Sequence, residues 1–429
     1  MTLQLVFLSV FLILFVLKIP VYISMVLTGV VIMALEGGGL KWTTIIHNMF
    51  VGINSFTFLA VPMFLLAGKI MNTGGVTTRL FDFCMKLVGW LPGGLGHVNI
   101  LGSVIFAGMS GTALSDAGGL GQIEIQAMNG KGFDNAFSCS VTAVSSTLGP
   151  IIPPSVPLVI YGTLTGTSVG ALFMAGIFPG LLMALIMMIV VFIFAILRKY
   201  PRTEFPSVAS VVQATAAGFL PLMAPVIILG GIYSGFFTPT ESAVVVVFYS
   251  LFLSVVVYKN MHLNQLRNIL RETVRDSISI GMLIAGARYF GYVLVRDKIP
   301  QSLLSMMVSV ISNQTELIII ILVFLLIIGC FMETTTIMIL AIPLILPMLN
   351  AFHVNLVQFG VVLVLALMIG LLTPPFGLVL FVISKIGNIS IGRLSWALLP
   401  WIGSLFVALI LIAFIPQISL WLPKTLGLM

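Results

Sequence analysis

The segment SSTLGPIIPPS, residues 145–155, decides how this chain folds, because it places Gly149, Pro150, Pro153 and Pro154 within a long apolar stretch. Proline lacks a backbone N–H and clashes with the preceding helical turn, and glycine weakens a helix further. A helix running through this stretch is therefore predicted to break. The alternative is that the prolines only kink a helix to suit its packing.

A second segment of the same kind, GLLTPPFG at 370–377, interrupts the apolar run from Phe359 to Ile386. Two proline pairs in two long apolar runs predict two broken helices. The N-terminus of a half-helix attracts an anion and exposed carbonyl groups attract a cation. If the two breaks meet, they form one binding site for an anion and a cation.

The composition of the chain places both breaks in a lipid bilayer. Of 429 residues, 60% are hydrophobic and 7% are charged, whereas soluble chains have about 25% charged residues. About ten to twelve apolar runs approach the 20 residues that a transmembrane helix needs. We predict an all-α, polytopic membrane protein. The net charge of +7 is attributed to membrane topology, and no nucleic-acid partner is expected, because basic residues do not cluster with aromatic ones.

A polar apex between two short apolar arms precedes each break, in FAGMSGTALSDAGGLG (106–121) and in CFMETTTIMIL (330–340). Non-helical backbone at membrane depth is tolerated only against protein or water, so both segments are predicted to be re-entrant helical hairpins. Their hydroxyl groups are hard oxygen donors suited to Na⁺ or to a polar ligand. The hydroxyl residues are Ser110, Thr112, Ser115, Thr334, Thr335 and Thr336.

Three carboxylates lie within apolar stretches, where an acid is a functional hypothesis by default. Asp116 and Glu333 are placed at equivalent hairpin tips, and each either anchors its tip or senses a cation. Capping of a helix or a salt bridge at the tip is the alternative for both. Glu241 follows Pro239, which opens a helix, so capping is favoured there.

Two isolated basic residues, Lys69 in LLAGKIM and Arg288 in AGARYFG, also interrupt apolar segments. Such side chains usually extend to the membrane interface; the alternative is that one of them faces a substrate carboxylate.

The polar linker PRTEFPSVASVVQAT (201–215) divides the chain nearly in half. Transporters often duplicate one half of their fold, and five weak matches recur here at offsets of 217 to 222 residues. The matched pairs are Pro20 and Pro239, Ala67 and Ala285, Thr112 and Thr334, Asp116 and Glu333, and Pro153 and Pro374. An odd number of spans per half would make the repeats inverted, and the sequence alone leaves that number open.

The predicted organisation is therefore a first repeat at 1–200, a linker at 201–216 and a second repeat at 217–429. The first repeat has a hairpin at about 98–130 and a broken helix at about 136–162; the second has a hairpin at about 317–350 and a broken helix at about 357–386. Basic clusters at 198–202 and 259–275 predict cytoplasmic loops. The mixed polarity of 263–275 predicts an interfacial helix.

Other membrane functions fit the sequence less well. Gly108, Ser110 and Gly111 spell the GxSG pattern of intramembrane serine proteases, but all four histidines are predicted in or near loops, away from Ser110. An ATP-driven pump is disfavoured, because NGKG (129–132) does not match the phosphate-loop spacing. A channel would tolerate hairpins, but duplicated broken helices favour alternating access.

In combination, six motifs resemble the large membrane subunit of tripartite ATP-independent periplasmic (TRAP) transporters across almost the whole chain. These motifs are LLAGKIMNTGG (65–75), GGLGHVNILGSVIFAGMSGTALSDAGG (93–119), SSTLGPIIPPSVPLVIYG (145–162), FFTPTESA (236–243), METTT (332–336) and FGVVLVLALMIGLLTPPFGLVLF (359–381). The resemblance implies an inverted-repeat elevator transporter in the bacterial inner membrane, surrounded by lipid and not an enzyme. It implies Na⁺ coupling without ATP, a small four-helix membrane subunit, and a periplasmic binding protein that delivers an organic acid, commonly sialic acid or a C4-dicarboxylate.

Applied position by position, the resemblance implies two or more Na⁺ sites with the substrate between two of them, no catalytic residue and no metal other than Na⁺. The first Na⁺ site comprises Ser110, Gly111, Thr112, Ser145, Ser146 and Gly149, and the second comprises Gly329, Thr334, Thr335, Gly370, Thr373 and Phe376. The substrate residues are Ser103, Asp116, Pro154, Ser155, Glu333, Thr336 and Pro374.

This sequence departs from the family pattern in two ways. Glu333 stands where the family usually has Asp, which keeps the charge and adds a methylene group. The chain also lacks the N-terminal small-subunit fusion of some members, so a separate partner chain is expected. The alternative function is a stand-alone ion-coupled carboxylate symporter of the same architecture, which the physical argument alone does not separate from a tripartite system.

Overall fold

The computed structural model describes residues 2–35, 42–299, 311 and 313–429, without the side chains of residues 2–5 and 8. The regular structure of these residues is helical. In the first half the helices are α1 (Thr2–Val16), α2 (Val21–Leu35), α3 (Trp42–Ile53), α4 (Ala60–Thr73), α5 (Val76–Val88), α6 (Gly94–Ser110), α7 (Ala113–Gly130), α8 (Asn135–Ser145), α9 (Val156–Thr165) and α10 (Val169–Arg198). In the second half they are α11 (Val208–Tyr233), α12 (Pro239–Leu251), α13 (Leu263–Arg296), α14 (Gln314–Gly329), α15 (Thr334–Ala351), α16 (Leu356–Leu371), α17 (Leu378–Ile386), α18 (Ile391–Phe414) and α19 (Pro416–Thr425).

The prediction of an all-α polytopic membrane fold is confirmed. Six of the described helices are long and apolar enough to cross a bilayer, and α3 with α4 makes a seventh if this pair, bent by 58°, is one span. The number of candidate membrane spans is lower than the number of apolar runs in the sequence, because five apolar helices have only 10 to 17 residues. These are α2, α6, α9, α14 and α16.

Both proline-rich segments separate two helices. Break 1 is the segment 146–155, where α8 passes into a short 3₁₀ turn, Ser146–Leu148, before α9 begins. Ser155 starts α9, since its Oγ accepts a hydrogen bond from the Leu158 N–H at 3.2 Å and donates one to the Pro150 carbonyl. Break 2 is the segment 372–377 between α16 and α17. The prolines interrupt each helix because they cannot supply its backbone donors.

Two helical hairpins precede the breaks. Hairpin 1 is formed by α6 and α7, and Gly111 turns the chain between them with φ of 65°. A side chain there would be strained by this φ, and its Cβ would lie 2.7 Å from the Pro154 carbonyl oxygen. Hairpin 2 is formed by α14 and α15. The tips of the hairpins lie at 110–115 and 330–336.

The segment at 263–275, predicted as a separate interfacial helix, is instead the start of the 34-residue helix α13. No proline interrupts this helix, so its polar beginning and apolar end form one rod. Its three arginines at the polar end, Arg267, Arg271 and Arg275, are exposed.

The amphipathic helix α5 connects α4 to hairpin 1 and contacts two loops at its ends. Near its start, the Arg79 guanidinium lies 3.8 Å from the centre of the Tyr258 ring. At its end, the Thr203 N–H donates to the Gly89 carbonyl at 3.1 Å. Helix α5 therefore links the 258–262 loop with the linker between α10 and α11, the two places where basic residues cluster.

Candidate ligand-binding site between the hairpin tips

A cavity of about 550 Å³ lies where both hairpin tips meet, and we call it the tip cavity. Its wall includes residues from hairpin 1, hairpin 2, break 1 and the helices α4 and α13. The polar lining residues are Lys69, Asn72, Ser110, Thr112, Ser115, Glu272, Asp276, Ser279, Glu333, Thr334 and Thr335. The structure thus brings together five of the predicted site residues, Ser110, Thr112, Glu333, Thr334 and Thr335.

Two hydroxyl groups in the wall of the tip cavity lack a hydrogen-bond partner among the described residues. Ser110 Oγ belongs to hairpin 1 and Thr334 Oγ1 to hairpin 2, and both residues are buried. Leaving a buried polar atom unpaired is unfavourable, and such atoms are uncommon in folded proteins. Both oxygens are therefore available to a ligand, and hydroxyl oxygens suit a hard cation such as Na⁺.

The tip of each hairpin is hydrogen-bonded to the break that follows it. In the first half the Val156 N–H donates to the Gly111 carbonyl at 3.2 Å, and in the second half the Phe376 N–H donates to the Cys330 carbonyl at 3.0 Å. The donors and acceptors of these two bonds are offset by 220 and 219 residues, within the range of the sequence matches. The same contact between tip and break therefore recurs in both halves.

The glycines predicted as Na⁺ ligands lie at these tip–break contacts. A Cβ on Gly149 would lie 3.1 Å from the Thr112 carbonyl oxygen, and one on Gly370 would lie 2.6 Å from the Gly329 Cα. Because only glycine permits these approaches, the hairpins pack closely on the breaks.

Glu333 begins α15 as its N-cap. Its carboxylate accepts hydrogen bonds from the Thr336 N–H at 3.2 Å and from the Thr335 hydroxyl at 2.9 Å. The corresponding cap of α7 is Thr112, which accepts from the Ser115 N–H at 3.3 Å. The capping alternative for Glu333 is confirmed, and Glu333 also lines the tip cavity.

The predicted equivalence of Asp116 and Glu333 is wrong. Asp116 lies one helical turn beyond the Thr112 cap, is 2% exposed, and faces the interior of hairpin 1 with Oδ2 unpartnered. The sequence match misled because the caps themselves differ, a threonine in one half and a glutamate in the other. Capping by Glu241 is confirmed: Thr238 and Glu241 form a reciprocal capping box at the start of α12.

Lys69 lies in the wall of the tip cavity but is already paired. Its Nζ is 2.7 Å from Asp276 Oδ2 and 3.4 Å from Glu272 Oε2, both on α13. Arg288 is exposed, and its side-chain carbons lie beside Gly52 of α3. The tip cavity therefore holds one lysine against the three carboxylates of Glu272, Asp276 and Glu333.

The hydroxyls of the other predicted Na⁺ residues bond within their own helices or to a neighbouring one. Ser145 Oγ donates to Asn99 Oδ1 at 2.6 Å, Ser146 Oγ to the Ala143 carbonyl at 2.8 Å, and Thr373 Oγ1 to the Ile369 carbonyl at 2.8 Å. Several predicted site residues lie outside the wall of the tip cavity. These are Ser103, Gly111, Asp116, Ser145, Ser146, Gly149, Pro154, Ser155, Gly329, Thr336, Gly370, Thr373, Pro374 and Phe376. Thr373 and Pro374 line a separate apolar groove of about 430 Å³ beside Trp396.

Two buried polar residues were missed by the sequence reasoning. Asn99 on α6 donates to Thr142 Oγ1 at 2.7 Å and accepts from Ser145, so it joins hairpin 1 to α8. Glu124 on α7 is 1% exposed and has an unpartnered Oε1. The signal was present for Asn99, which interrupts an apolar run, but not for Glu124, which has Gln122 and Gln126 beside it.

The geometry also bears on the protease alternative. The prediction that all four histidines lie in or near loops is wrong for His97, which is buried in α6, and for His47, which lies in α3. His97 is on the same helix as Ser110 but 13 residues away, or about 20 Å at the rise of an α-helix. A general base must lie within hydrogen-bond reach of its nucleophile, so His97 does not serve Ser110.

Comparison with known proteins agrees with the geometry. The sequence profile of a family described as "Tripartite ATP-independent periplasmic transporter, DctM component" matches residues 8–418. The chain is 41% identical to the sialic acid TRAP transporter large permease protein SiaM of Vibrio cholerae, over 88% of each chain. It is 37% identical to the C4-dicarboxylate TRAP transporter large permease protein DctM of Pseudomonas aeruginosa, over 87% of each chain.

Among solved structures, the YdaH transporter of Alcanivorax borkumensis matches with a TM-score of 0.69 and 12% identity, covering 93% of this chain and 98% of that one. At this identity the likeness concerns the fold alone. The profile match over nearly the whole chain and the identity to two large permeases carry the assignment: this chain belongs to the DctM-component family of the tripartite ATP-independent periplasmic transporters.

Proposed function

We propose that this chain is the subunit through which an organic-acid anion of the sialic acid or C4-dicarboxylate class enters the cell together with Na⁺. The observation that carries this proposal is the tip cavity, which is lined by Ser110 of hairpin 1 and Thr334 of hairpin 2, whose buried hydroxyl oxygens have no partner among the described residues. The half-helix N-termini of the two breaks would favour an anion, and the tip oxygens a cation.

The family consists of transporters of the inner membrane, not of enzymes, and its members work with a small membrane subunit and a periplasmic binding protein. This chain is accordingly a multi-pass inner-membrane transport protein. We propose that its own partners are of the same two kinds: a small four-helix membrane subunit, and a binding protein that delivers the substrate from the periplasm.

The substrate class is supported by the named relatives and by the chemistry of the tip cavity. One relative is named for sialic acid and the other for C4-dicarboxylates. Both substrates carry a carboxylate, which hydroxyl groups and backbone N–H groups can bind. Because Lys69 is paired with two acids, we do not assign it as the main partner of the substrate.

Coupling to Na⁺ is supported by the charge of the tip cavity. One lysine faces the three carboxylates of Glu272, Asp276 and Glu333, so an organic anion entering alone would meet an unfavourable field. A cation that binds beside the anion offsets this repulsion. Na⁺ at Ser110 and at Thr334 would make anion binding depend on the cation.

An elevator movement is supported by the way the hairpins are held. Each hairpin tip is tied to the following break by a backbone hydrogen bond, and Asn99 ties α6 to α8. These contacts favour movement of hairpins and broken helices as one body. The contacts of this body with α4 and α13 would then change during transport.

The test is uptake into proteoliposomes that contain this chain with its small membrane subunit, in the presence and absence of its periplasmic binding protein. Radiolabelled sialic acid and C4-dicarboxylates are supplied with an inward Na⁺ gradient, and matched K⁺ replaces Na⁺ in the control. We expect uptake of one acid class that requires both the Na⁺ gradient and the binding protein.

Other outcomes separate the parts of the proposal. Uptake that needs no binding protein would support the stand-alone symporter instead. Equal uptake in Na⁺ and in K⁺ would contradict Na⁺ coupling, and failure of every acid in the panel would contradict the substrate class.

A further inference from the structure

Glu124 is a buried carboxylate that the proposed function does not use. It lies on α7 within hairpin 1, is 1% exposed, and makes no hydrogen bond with the described residues through Oε1. Gly102 of α6 leaves room for it, since a Cβ there would lie 3.2 Å from Glu124 Oε1 and 3.2 Å from Leu120 Cδ2. The carboxyl group therefore lies in a closely packed and largely apolar site.

No cationic side chain in the described part of the molecule pairs with Glu124. Asp116 on the same helix and Cys84 on α5 interact with it electrostatically. The other helices that pack on α7 each contribute one titratable side chain. These are His97 on α6, Cys139 on α8, Lys69 on α4 and Lys385 on α17.

None of these side chains supplies the missing counter-charge. Lys69 is paired with Asp276 and Glu272, Lys385 is exposed, and Cys139 lies against Gly387. His97 is buried with both ring nitrogens unpartnered, an environment that disfavours a charged imidazole ring.

The physical cost of this arrangement depends on whether Glu124 carries a charge. An ionised carboxylate without a partner is far costlier to bury than a neutral carboxyl group. The nearby acid Asp116 disfavours ionisation of both groups at once. A hard metal ion would need several oxygen ligands, and the described residues contain no group of three or more His, Cys, Asp or Glu side chains that could hold one. A proton is the cation that this site can accept.

A series of unpartnered polar atoms leads from the tip cavity towards Glu124. Ser110 Oγ lies in the cavity wall, and Ser103 Oγ lies two helical turns further along the same face of α6. On α7, Asp116 lies one turn from the tip with Oδ2 unpartnered, and Glu124 lies about two turns further along the same helix.

We propose that Glu124 is a proton-binding site of this transporter, and that the neutral form of Glu124 is the form in which hairpin 1 moves. The bound ligand is a proton taken from solution onto a carboxylate oxygen. This role in movement depends on the proposed function, but the presence of the proton does not.

The proton is tested directly by infrared spectroscopy of the purified, lipid-reconstituted protein. A protonated carboxyl group absorbs separately from carboxylates and from the amide band, and this band disappears when the group ionises. We expect native protein to show the band at neutral pH and to lose it at alkaline pH. Glu124→Gln should lack the band, whereas the matched variant Glu204→Gln, at an exposed position in the linker, should retain it.

Two results with the variants would overturn the proposal. One is a band of native size in Glu124→Gln. The other is a band that is lost in Asp116→Asn but kept in Glu124→Gln, which would place the proton on Asp116. Native protein alone provides a check that needs no variant, because absence of the band at neutral pH also contradicts the proposal.

The role in movement is tested by the pH dependence of uptake. If only the neutral form moves, native uptake should fall by up to about tenfold per pH unit once the group ionises. Glutamine imitates the neutral carboxyl group, so Glu124→Gln should keep its uptake at alkaline pH. Identical pH profiles for both proteins would refute a role in movement. Failure of all acids to be transported would contradict the proposed function while leaving the infrared result standing.

Discussion

Ser110 and Thr334 line one cavity from opposite halves of the chain. Ser110 ends one helical arm and Thr334 begins another, and both hydroxyl groups are buried without a partner in the described residues. Folding leaves these two oxygens desolvated without a hydrogen bond in return, which is unfavourable unless a ligand completes them. These two unpaired oxygens are the reason to expect that Na⁺ binds at both hairpin tips.

Ser110→Ala and Thr334→Ala should each raise the Na⁺ concentration needed for half-maximal uptake by about tenfold, the loss expected for one polar contact with a charged partner. The thermal unfolding midpoint should hardly change, because neither substitution removes a hydrogen bond of the folded protein. Thr163→Ala is the control: its hydroxyl bonds to the Val159 carbonyl away from the tip cavity. Na⁺ responses equal to native in both tip variants would count against the hydroxyls as ligands.

Glu333 combines a cap with a charge, and substitutions can separate the two roles. Glu333→Ala should lower stability by about 1 kcal/mol, because α15 loses its N-cap. Glu333→Asp should retain both stability and uptake, since aspartate caps well and keeps the charge. Thermal unfolding and uptake are measured on both variants. Native stability in Glu333→Ala would contradict the capping role.

Residue roles could be predicted where a local rule applies. Pro239 and Glu241 have the spacing of a helix start, so the capping box could be predicted from sequence. The position of Asp116 could not be predicted from sequence. Whether this acid caps α7 or faces the interior of hairpin 1 depends on where the turn before α7 ends. That turn is set by Gly111, whose positive φ depends on contact with break 1.

At the scale of elements, the close contact between hairpin 2 and the helix before break 2 depends on two facing glycines. A Cβ on Gly370 would lie 2.6 Å from both the carbonyl carbon and the Cα of Gly329. These are backbone atoms, so no side-chain rotation can relieve the clash. The two elements must separate to accept any larger residue.

Gly370→Ala should therefore destabilise the protein by about 1–3 kcal/mol, the usual range for overpacking, and should reduce uptake strongly. The matched control is Gly403→Ala in α18, where a Cβ would meet nothing within 4 Å. That variant should be neutral or more stable by about 0.5–1 kcal/mol, because alanine favours the helix. Thermal unfolding and uptake of the two variants give the comparison, and equal behaviour would contradict the packing argument.

The breaks and hairpin arms could be predicted because proline and glycine act locally. The predicted second break within 357–386 corresponds to α16 and α17, Leu356–Leu371 and Leu378–Ile386. The continuity of α13 could not be predicted, since its polar start and apolar end are typical of two different environments. The polar start and the apolar end form one helix because no proline interrupts α13. In a sequence, the absence of a helix breaker is a weaker signal than a change in polarity.

At the scale of the whole molecule, the two clusters of basic residues lie at one end of the structure. Helices α11 and α12 form an antiparallel pair between them, and α5 contacts both of the loops that hold them. The positive-inside rule assigns that end to the cytoplasm. The sequence could predict this face but not the number of spans in each half, because arms of 16 to 18 residues fit a short span and a re-entrant hairpin equally well.

Single cysteines placed at Arg202 and Asn264 should therefore react from the same side of the membrane, and a cysteine at Ser234 from the other. All three positions are exposed, and Ser234 lies in the turn between α11 and α12. In a protein whose native cysteines are replaced, an impermeant maleimide should label Arg202→Cys and Asn264→Cys only in inside-out vesicles. Ser234→Cys should react only in right-side-out vesicles. If Arg202→Cys and Ser234→Cys are labelled from the same side, α11 does not cross the bilayer. If Arg202→Cys and Asn264→Cys are labelled from opposite sides, α11 and α12 do not form the antiparallel pair described above.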